Sequence, residues 1–274
     1  MSSHSQVKRT TLDSIVRKKK AGEKIVMVTC YDAAFGRIVN ETSVDLVLVG
    51  DSLGNVILGH ENTIPVTVND IIHHTKAVTR TVKRPLVIAD MPFFSYHVSK
   101  EQALENASRI MQESGCQAVK LEGGEAIAKT VEALSSCGIP VMGHLGLTPQ
   151  SLHQLSGYKV QGKTDEAARL MIKEAKRLQD AGAFSLVLEL IPAELARQIT
   201  AELSIPTIGI GAGSDVDGQV LVLHDLLGFD TTFKPKFLKH YANIGEAVHK
   251  ALEQYAGEVR ERKFPEREHS FYVD

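Results

Sequence analysis

The sequence predicts an α/β protein whose eight parallel strands close into a (β/α)8 barrel. Short runs of apolar, β-branched residues, typical of strands buried on both faces, occur along the whole chain. Longer amphipathic segments, typical of helices that cover such a sheet, separate these runs. About eight such repeats fit within 274 residues, close to the roughly 250 residues of a (β/α)8 barrel. This length favours a closed barrel over an open, doubly wound sheet.

The predicted elements follow one another in order. The apolar runs place strands at residues 24–29, 45–50, 86–89, 118–121, 141–143, 184–188, 206–210 and 220–223. The last is the least regular, because residues 217–227 could instead form a helix. The clearest helical patterns span residues 68–82, 100–113, 165–181 and 193–203. Ser99 and Thr164 stand where N-caps belong, and Gly115, Gly138 and Gly182 stand where C-caps belong.

The chain is predicted to form one domain over residues 1–274. No linker, low-complexity segment or change in composition divides it. Residues 1–22 are expected to form an N-terminal extension, in which a helix over residues 11–21 covers the bottom of the barrel. Residues 260–274 are expected to form a polar tail.

Composition excludes several classes of function. With 31 Lys and Arg against 33 Asp and Glu, the chain has no basic field for nucleic acid or an anionic membrane. It lacks Trp, which disfavours stacking on bases. Three cysteines without a C-x-x-C pair indicate a reducing compartment and not a disulfide framework. Since no apolar run is long enough to span a membrane, we expect a cytoplasmic protein.

Polar side chains stand at the ends of five successive predicted strands. They are Asp51 and Ser52 after the second strand, Asp90 after the third, Lys120 and Glu122 at the fourth, His144 after the fifth and Glu189 after the sixth. The carboxyl ends of barrel strands form the active-site face, so these side chains are expected to converge. Each alone has another explanation. Asp51 or Asp90 could cap a helix, Glu122 could neutralise Lys120, and His144 could be a hydrogen-bonded structural residue.

These residue types indicate metal-assisted enolate chemistry. Two aspartates with Glu122 nearby form an oxygen-rich site that suits Mg²⁺. Lys120 provides a positive charge for a carboxylate or a developing oxyanion. Glu189 ends the apolar strand FSLVLE, where a carboxylate in dry surroundings is expected to act as a general base. Together they fit a metal that chelates a 2-oxo acid while Glu189 removes the proton next to the carbonyl.

The chain resembles one family along nearly its whole length. The motifs that carry this resemblance are TCYDAAFGRI (29–38), VGDSLGNVILG (49–59), IADMPFFSY (88–96), AVKLEGG (118–124), GHLGLTPQS (143–151) and GIGAGSDVDGQVLVLHDLLG (209–228). In this order they are similar to the 3-methyl-2-oxobutanoate hydroxymethyltransferase family, also called ketopantoate hydroxymethyltransferase. The resemblance implies a barrel related to the phosphoenolpyruvate mutase and isocitrate lyase group, and a homodecamer of two pentameric rings.

The resemblance also implies a reaction. A hydroxymethyl group passes from 5,10-methylenetetrahydrofolate to C3 of 3-methyl-2-oxobutanoate through a magnesium enolate. The products are 2-dehydropantoate and tetrahydrofolate, on the route to pantothenate and coenzyme A. The implied roles are Mg²⁺ binding by Asp51 and Asp90 with Glu122 nearby, substrate binding by Ser52, Lys120 and those two aspartates, proton abstraction by Glu189, and a contact of His144 near the product hydroxyl.

Three alternatives stay open at this stage. Another magnesium-enolate enzyme on the same barrel, a carbon–carbon lyase or a phosphonopyruvate-type enzyme, would share this layout. Isocitrate lyase, however, carries a catalytic cysteine in a K-K-C-G-H stretch that this chain lacks. The glycines of GIGAG (209–213) could approach a phosphate, although G-x-G-x-x-G is absent and Asp215 and Asp217 follow. A ligand sensor without turnover is the third alternative.

Overall fold

A closed barrel of parallel strands forms the centre of the fold. The structure is a computed structural model, and it describes residues 9–155 and 157–273. Strands that follow one another along the chain pair in parallel, and the eighth pairs with the first. The strands are β1 (Ile25–Thr29), β2 (Leu46–Val49), β3 (Leu86–Asp90), β4 (Ala118–Glu122), β5 (Val141–Gly146), β6 (Ser185–Glu189), β7 (Thr207–Ile210) and β8 (Gly218–Leu221). The predicted (β/α)8 barrel is confirmed.

The eighth strand begins earlier than predicted. Strand β8 starts at Gly218 and ends at Leu221, whereas the apolar pattern placed it at residues 220–223. Gly218 pairs with both Ile25 and Ile208. A side chain at position 218 would collide with the carbonyl of Ile25, so this tight pairing requires a glycine. A glycine contributes no apolar signal, and the pattern therefore missed the start of this strand.

Helices alternate with the strands. They are α1 (Leu12–Ala21), α2 (Ala33–Asn40), α3 (Leu53–Val56), α4 (Val68–Thr81), α5 (Lys100–Ser114), α6 (Glu125–Ser136), α7 (Leu152–Leu155), α8 (Asp165–Asp180), α9 (Ala193–Glu202), α10 (Leu223–Leu226) and α11 (Ile244–Arg260). Ser99 and Thr164 are N-caps whose side chains accept hydrogen bonds from the backbone three residues later, as predicted. Gly115, Gly138 and Gly182 have positive φ, which suits the helix ends predicted for them.

Helix α1 packs at the end of the barrel where the strands begin. Ile15 is fully buried and belongs to the core that fills the barrel interior. Lys18 Nζ lies 2.7 Å from Asp45 Oδ1, just before β2. Lys19 Nζ lies 2.8 Å from Asp217 Oδ2, just before β8. Asp217 therefore anchors the bottom of the barrel and does not face the carboxyl ends of the strands.

We expect Ile15→Ala to lower the free energy of unfolding by about 2–5 kcal/mol, because it leaves a cavity where α1 enters the core. The matched control is Ile38→Ala on α2, where the isoleucine side chain is 61% exposed. That control should change stability by about 0.5 kcal/mol or less. Urea denaturation followed by circular dichroism measures both. Equal midpoints for the two variants would contradict the role given to Ile15.

The chain divides into two compact units, the first ending at Val222 and the second beginning at Leu223. The first holds the barrel and helices α1 to α9. The second holds α10, α11 and a 3-10 turn at Arg267–His269. The single domain expected over residues 1–274 stays a prediction. Among the described residues, none of the helices has the length and apolar character needed to cross a membrane.

Candidate active site

Asp51 and Asp90 lie side by side at the carboxyl ends of β2 and β3. The backbone N–H of Asp51 donates to Oδ2 of Asp90 over 2.9 Å, and both side chains are buried. Ser52 occupies the N-cap position of α3 and Ser99 that of α5, so neither aspartate stands at the N-cap of the helix that follows its strand. Helix capping therefore explains neither aspartate. The structure brings the two carboxylates together, as the strand spacing predicts.

The ammonium group of Lys120 lies among the acidic side chains. Its Nζ is 3.0 Å from Asp90 Oδ1, 3.4 Å from Glu122 Oε1 and 3.3 Å from His144 Nδ1. Lys120 and Glu122 share the inner face of β4 because they are two residues apart on one strand. Glu122 does pair with Lys120, as the alternative explanation proposes. Lys120 also contacts Asp90, so this pair belongs to the same group of converging side chains.

Burial and crowded charge shift the pKa values of the two aspartates. Burial raises the pKa of Asp51 well above its usual range, and the nearby charges of Asp90 and Glu122 raise it further. Burial also raises the pKa of Asp90, although the ammonium of Lys120 opposes this effect. Buried like charges repel at short range, so a nearby cation stabilises the charged forms of the two aspartates.

Lys120, Glu122 and His144 stabilise one another in their charged forms. Burial opposes the charge of Lys120, but the carboxylates of Asp90, Glu122 and Asp51 outweigh it and raise the pKa of the lysine. Burial would raise the pKa of Glu122, yet Lys120 and His144 lower it to about 2. Burial and Lys120 would lower the pKa of His144, but Glu122 and Glu189 raise it to about 9. At neutral pH the site therefore contains imidazolium, ammonium and carboxylate groups in contact.

Glu189, the last residue of β6, is the most accessible of these carboxylates. Its Oε2 lies 3.3 Å from His144 Nε2, and its side chain is 15% exposed, compared with 3% for Glu122. A side chain at Gly146 would collide with the carbonyl of Glu189, so the close approach of β5 to the end of β6 requires a glycine there. The side chain of Glu189 is more exposed to solvent than predicted. The exposure leaves this carboxylate open to a substrate.

Ser52 borders the same group of side chains. Its Oγ lies 2.8 Å from the hydroxyl of Tyr31 and makes no capping hydrogen bond to α3. A Cβ at Gly50 would lie 3.0 Å from Ser52 Oγ and 3.3 Å from Asp90 Oδ2. The Ser52 hydroxyl and the Asp90 carboxylate therefore both lie next to the position that a Cβ of residue 50 would occupy. All seven residues predicted for the site thus lie at one end of the barrel.

The chain matches the family model described as ketopantoate hydroxymethyltransferase over residues 9–267. It belongs to this family. A relative from Heliobacterium modesticaldum named 3-methyl-2-oxobutanoate hydroxymethyltransferase is 55% identical over 267 residues, covering 97% of each chain. A relative of the same name from Syntrophus aciditrophicus is 53% identical over 271 residues, covering 99% of this chain and 100% of its own. The chain is therefore an enzyme of the hydroxymethyltransferase class.

Solved structures with the same fold come from the phosphoenolpyruvate mutase and isocitrate lyase superfamily. A phosphonopyruvate hydrolase, in complex with oxalate and Mg²⁺, is 10% identical with a TM-score of 0.60, covering 94% of this chain and 92% of its own. A 2,3-dimethylmalate lyase is 18% identical with a TM-score of 0.57, covering 92% and 88%. At such low identity these similarities concern the fold alone. They agree with the predicted fold group of the hydroxymethyltransferase.

Two residues that sequence reasoning did not single out complete this network. Gln150 is buried in the loop after β5, and its Nε2 donates to Asp51 Oδ2 over 2.9 Å. Tyr96 is buried in the loop after β3, and its hydroxyl lies 2.8 Å from Gln150 Oε1. Both residues stand within the family motifs GHLGLTPQS and IADMPFFSY. Their place within these motifs was the available signal.

The glycine loop after β7 has a packing role in this enzyme. A side chain at Gly213 would collide with Ala193 at the start of α9, and one at Gly209 would collide with Val216. The segment that follows is strand β8, so no helix N-terminus stands at these glycines to hold a phosphate. The phosphate-binding alternative loses its main physical support.

The carboxylates are chemically suited to a hard divalent cation. Within residues 9–155 and 157–273, no three His, Cys, Asp or Glu side chains are already arranged as a metal site. The ammonium of Lys120 lies next to Asp90 Oδ1. That oxygen is buried and forms an ion pair with the lysine. The adjacent carboxylates of Asp51 and Asp90 provide the oxygen ligands that Mg²⁺ prefers.

Proposed function

We propose that this enzyme transfers a hydroxymethyl group from 5,10-methylenetetrahydrofolate to C3 of 3-methyl-2-oxobutanoate, giving 2-dehydropantoate and tetrahydrofolate for pantothenate biosynthesis. Family membership and the names of relatives more than 50% identical support the substrate. The observation that carries the proposal is the convergence of four carboxylates, a lysine and a histidine at the ends of β2 to β6. This set matches the needs of enolate chemistry on a 2-oxo acid.

In this proposal Asp51 and Asp90 hold Mg²⁺, with Glu122 nearby. The raised pKa values of the two buried aspartates support it, because a bound divalent cation would stabilise their charged forms. When bound, Mg²⁺ supplies a Lewis acid that stabilises negative charge on the oxygens of the oxo acid.

The remaining residues bind and deprotonate the oxo acid. Lys120 and the hydroxyl of Ser52 bind its carboxylate and carbonyl oxygens. Glu189 takes the proton from C3, and His144 holds Glu189 in position through the contact between Nε2 and Oε2. The electron pair of the broken C–H bond forms the new bond to the one-carbon unit of the folate, one of the two carbon–nitrogen bonds of that unit breaks, and its nitrogen takes up the proton removed from C3. Water then supplies the hydroxyl group as the second carbon–nitrogen bond breaks, and the remaining proton of the water goes to the second nitrogen.

The position of the cysteines favours this proposal over a lyase with a catalytic cysteine. Cys116 precedes β4 and Cys137 follows α6. Cys30 does follow a strand, β1, but burial raises the pKa of its thiol to about 11. A thiol that stays protonated at neutral pH is a poor nucleophile.

The test follows a labelled carbon from donor to product. The enzyme is incubated with Mg²⁺, 3-methyl-2-oxobutanoate and tetrahydrofolate carrying a ¹³C methylene group, and the products are observed by NMR. We expect the label to appear in the hydroxymethyl group of 2-dehydropantoate. Consumption of the oxo acid without incorporation of the label would contradict the proposal, and would favour a lyase on the same barrel.

We further propose that the chain is a homo-oligomer, with the decamer implied by the family resemblance as the expected assembly. Helix α11 supports self-association because one face of it is apolar and exposed. Val248, Leu252, Tyr255 and Val259, spaced as one helical face, are 45%, 61%, 55% and 44% exposed. Exposed apolar patches of this kind mark protein interfaces more often than solvated surface.

Sedimentation velocity should show a species several times heavier than the 29.9 kDa chain. We expect Leu252→Asp on α11 to shift the distribution toward smaller species, because it places a charge within the apolar face. Glu253→Asp, the neighbouring exposed position, serves as the control and should leave the assembly unchanged. A wild-type monomer at micromolar concentration would contradict the oligomer.

A further inference from the structure

Gln150 binds two of the four acidic residues at the site. Its side-chain Nε2 donates to Asp51 Oδ2 over 2.9 Å and to the carbonyl of Met91 over 3.0 Å. Its backbone N–H donates to Glu122 Oε2 over 3.0 Å. The residue is only 4% exposed. One side chain and its own backbone thus tie the loop after β5 to the ends of β2, β3 and β4.

The surroundings fix the orientation of the Gln150 amide. The carboxylate of Asp51 and the carbonyl of Met91 can only accept hydrogen bonds, so they require the NH2 group of the amide. The other end, Oε1, lies 2.8 Å from the hydroxyl of Tyr96, which donates to it. If the amide were flipped, its oxygen would face the carboxylate of Asp51 and the carbonyl of Met91, which are both acceptors. Gln150 therefore has one stable orientation, with all of its side-chain polar atoms paired.

Three of the four carboxylates share a common pattern, in which one oxygen of each is held by an N–H group. Asp51 Oδ2 and Glu122 Oε2 are held by Gln150, and Asp90 Oδ2 is held by the backbone of Asp51. The second oxygens of Asp90 and Glu122 point to Lys120, at 3.0 and 3.4 Å. Both oxygens of Asp90 and of Glu122 therefore have a partner, whereas the bond from Gln150 occupies only Oδ2 of Asp51.

We propose that Gln150 is a positioning residue that makes the site selective for Mg²⁺ over Ca²⁺. The inference rests on the proposed function, which places Mg²⁺ on these carboxylates. Mg²⁺ requires a small octahedral shell and takes one oxygen from each carboxylate, whereas Ca²⁺ accepts six to eight ligands and often both oxygens of one carboxylate. By occupying the second oxygen of Asp51, the side chain of Gln150 disfavours two-oxygen binding there and holds this carboxylate in the arrangement that the smaller ion needs.

The test measures binding of MgCl2 and of CaCl2 to the full-length enzyme by titration calorimetry, without substrate. The variant is Gln150→Met, which keeps the length of the side chain and removes its polar atoms. The matched control is Gln198→Met on α9, where the glutamine is exposed and bonds to Glu202 of its own helix. We expect Gln150→Met to weaken Mg²⁺ binding by about 10- to 100-fold, as is typical when a residue that orients metal ligands is lost. Ca²⁺ binding should weaken less, so the ratio of the two affinities falls, while the control keeps the wild-type ratio.

Each alternative result decides the question. An equal loss for both ions would reduce Gln150 to a structural residue, and unchanged affinities would remove its role altogether. If wild-type enzyme binds no Mg²⁺, the proposed metal site itself is wrong, which is a separate failure. If circular dichroism shows that Gln150→Met is unfolded, Tyr96→Phe replaces it, since this change removes the hydroxyl that is paired with Gln150 Oε1 and with the backbone N–H of Glu122. A wild-type ratio in that variant would overturn the proposal.

Discussion

Asp90→Asn is expected to lower the rate of 2-dehydropantoate formation by at least about 10³-fold at saturating substrate. The proposed Lewis acid contributes several kcal/mol, and each 1.4 kcal/mol corresponds to a factor of ten in rate. Asparagine has the shape of aspartate, and its oxygen can still accept the hydrogen bond from the Asp51 backbone. Its NH2 group, however, would face the ammonium of Lys120, now 3.0 Å from the carboxylate oxygen. The substitution therefore removes the negative charge of a proposed metal ligand and keeps the side-chain volume at position 90.

Asp180→Asn, at the exposed end of α8, is the control for this change and should keep wild-type turnover. Circular dichroism and thermal unfolding of Asp90→Asn establish that its barrel is intact. Calorimetry should show that its Mg²⁺ affinity has fallen together with its rate. A folded Asp90→Asn enzyme with wild-type turnover would remove Asp90 from the proposed metal site.

Glu189→Gln is expected to slow the exchange of the C3 proton of 3-methyl-2-oxobutanoate with deuterated solvent by about 10²–10⁴-fold, the usual contribution of a general base. Glutamine fills the same volume at the end of β6 and can still contact His144, so the loss is chemical and not structural. The exchange is measured by NMR with Mg²⁺ present and folate absent, which isolates deprotonation from the later transfer step.

Glu194→Gln, exposed in the first turn of α9, changes the same functional group outside the site and should exchange at the wild-type rate. Mg²⁺ affinity in Glu189→Gln should stay close to wild type, because Glu189 is not a proposed metal ligand. Fast exchange in Glu189→Gln would show that another group removes the proton.

The strand-end residues of the site were predictable because strand periodicity is local. A buried parallel strand is a continuous apolar run, so the residue where the run stops is visible in the sequence. Asp51, Asp90 and Glu189 were found in this way, and the barrel then requires them to meet. The start of β8 was missed because Gly218 carries no apolar signal, although its pairing with Ile25 requires a glycine.

The loop residues of the site were not predictable in the same way. Gln150 and Tyr96 lie after β5 and β3, where the chain has no period and either residue could have been exposed to solvent. Their importance comes from hydrogen bonds between loops that are 54 residues apart along the chain, and such contacts exist only in the folded protein. The greater exposure of Glu189 likewise depends on how the loops cover the barrel, which strand composition does not specify.

The central claim is that convergent carboxylates bind a divalent cation that allows the enzyme to form an enolate of a 2-oxo acid. Its most direct test is C3 proton exchange of 3-methyl-2-oxobutanoate in deuterated solvent with the wild-type enzyme, in the presence and in the absence of Mg²⁺. We predict rapid exchange with Mg²⁺ and loss of that exchange when the ion is removed by a chelator, restored when Mg²⁺ is added back. Exchange that is equally fast with and without the ion would contradict the claim.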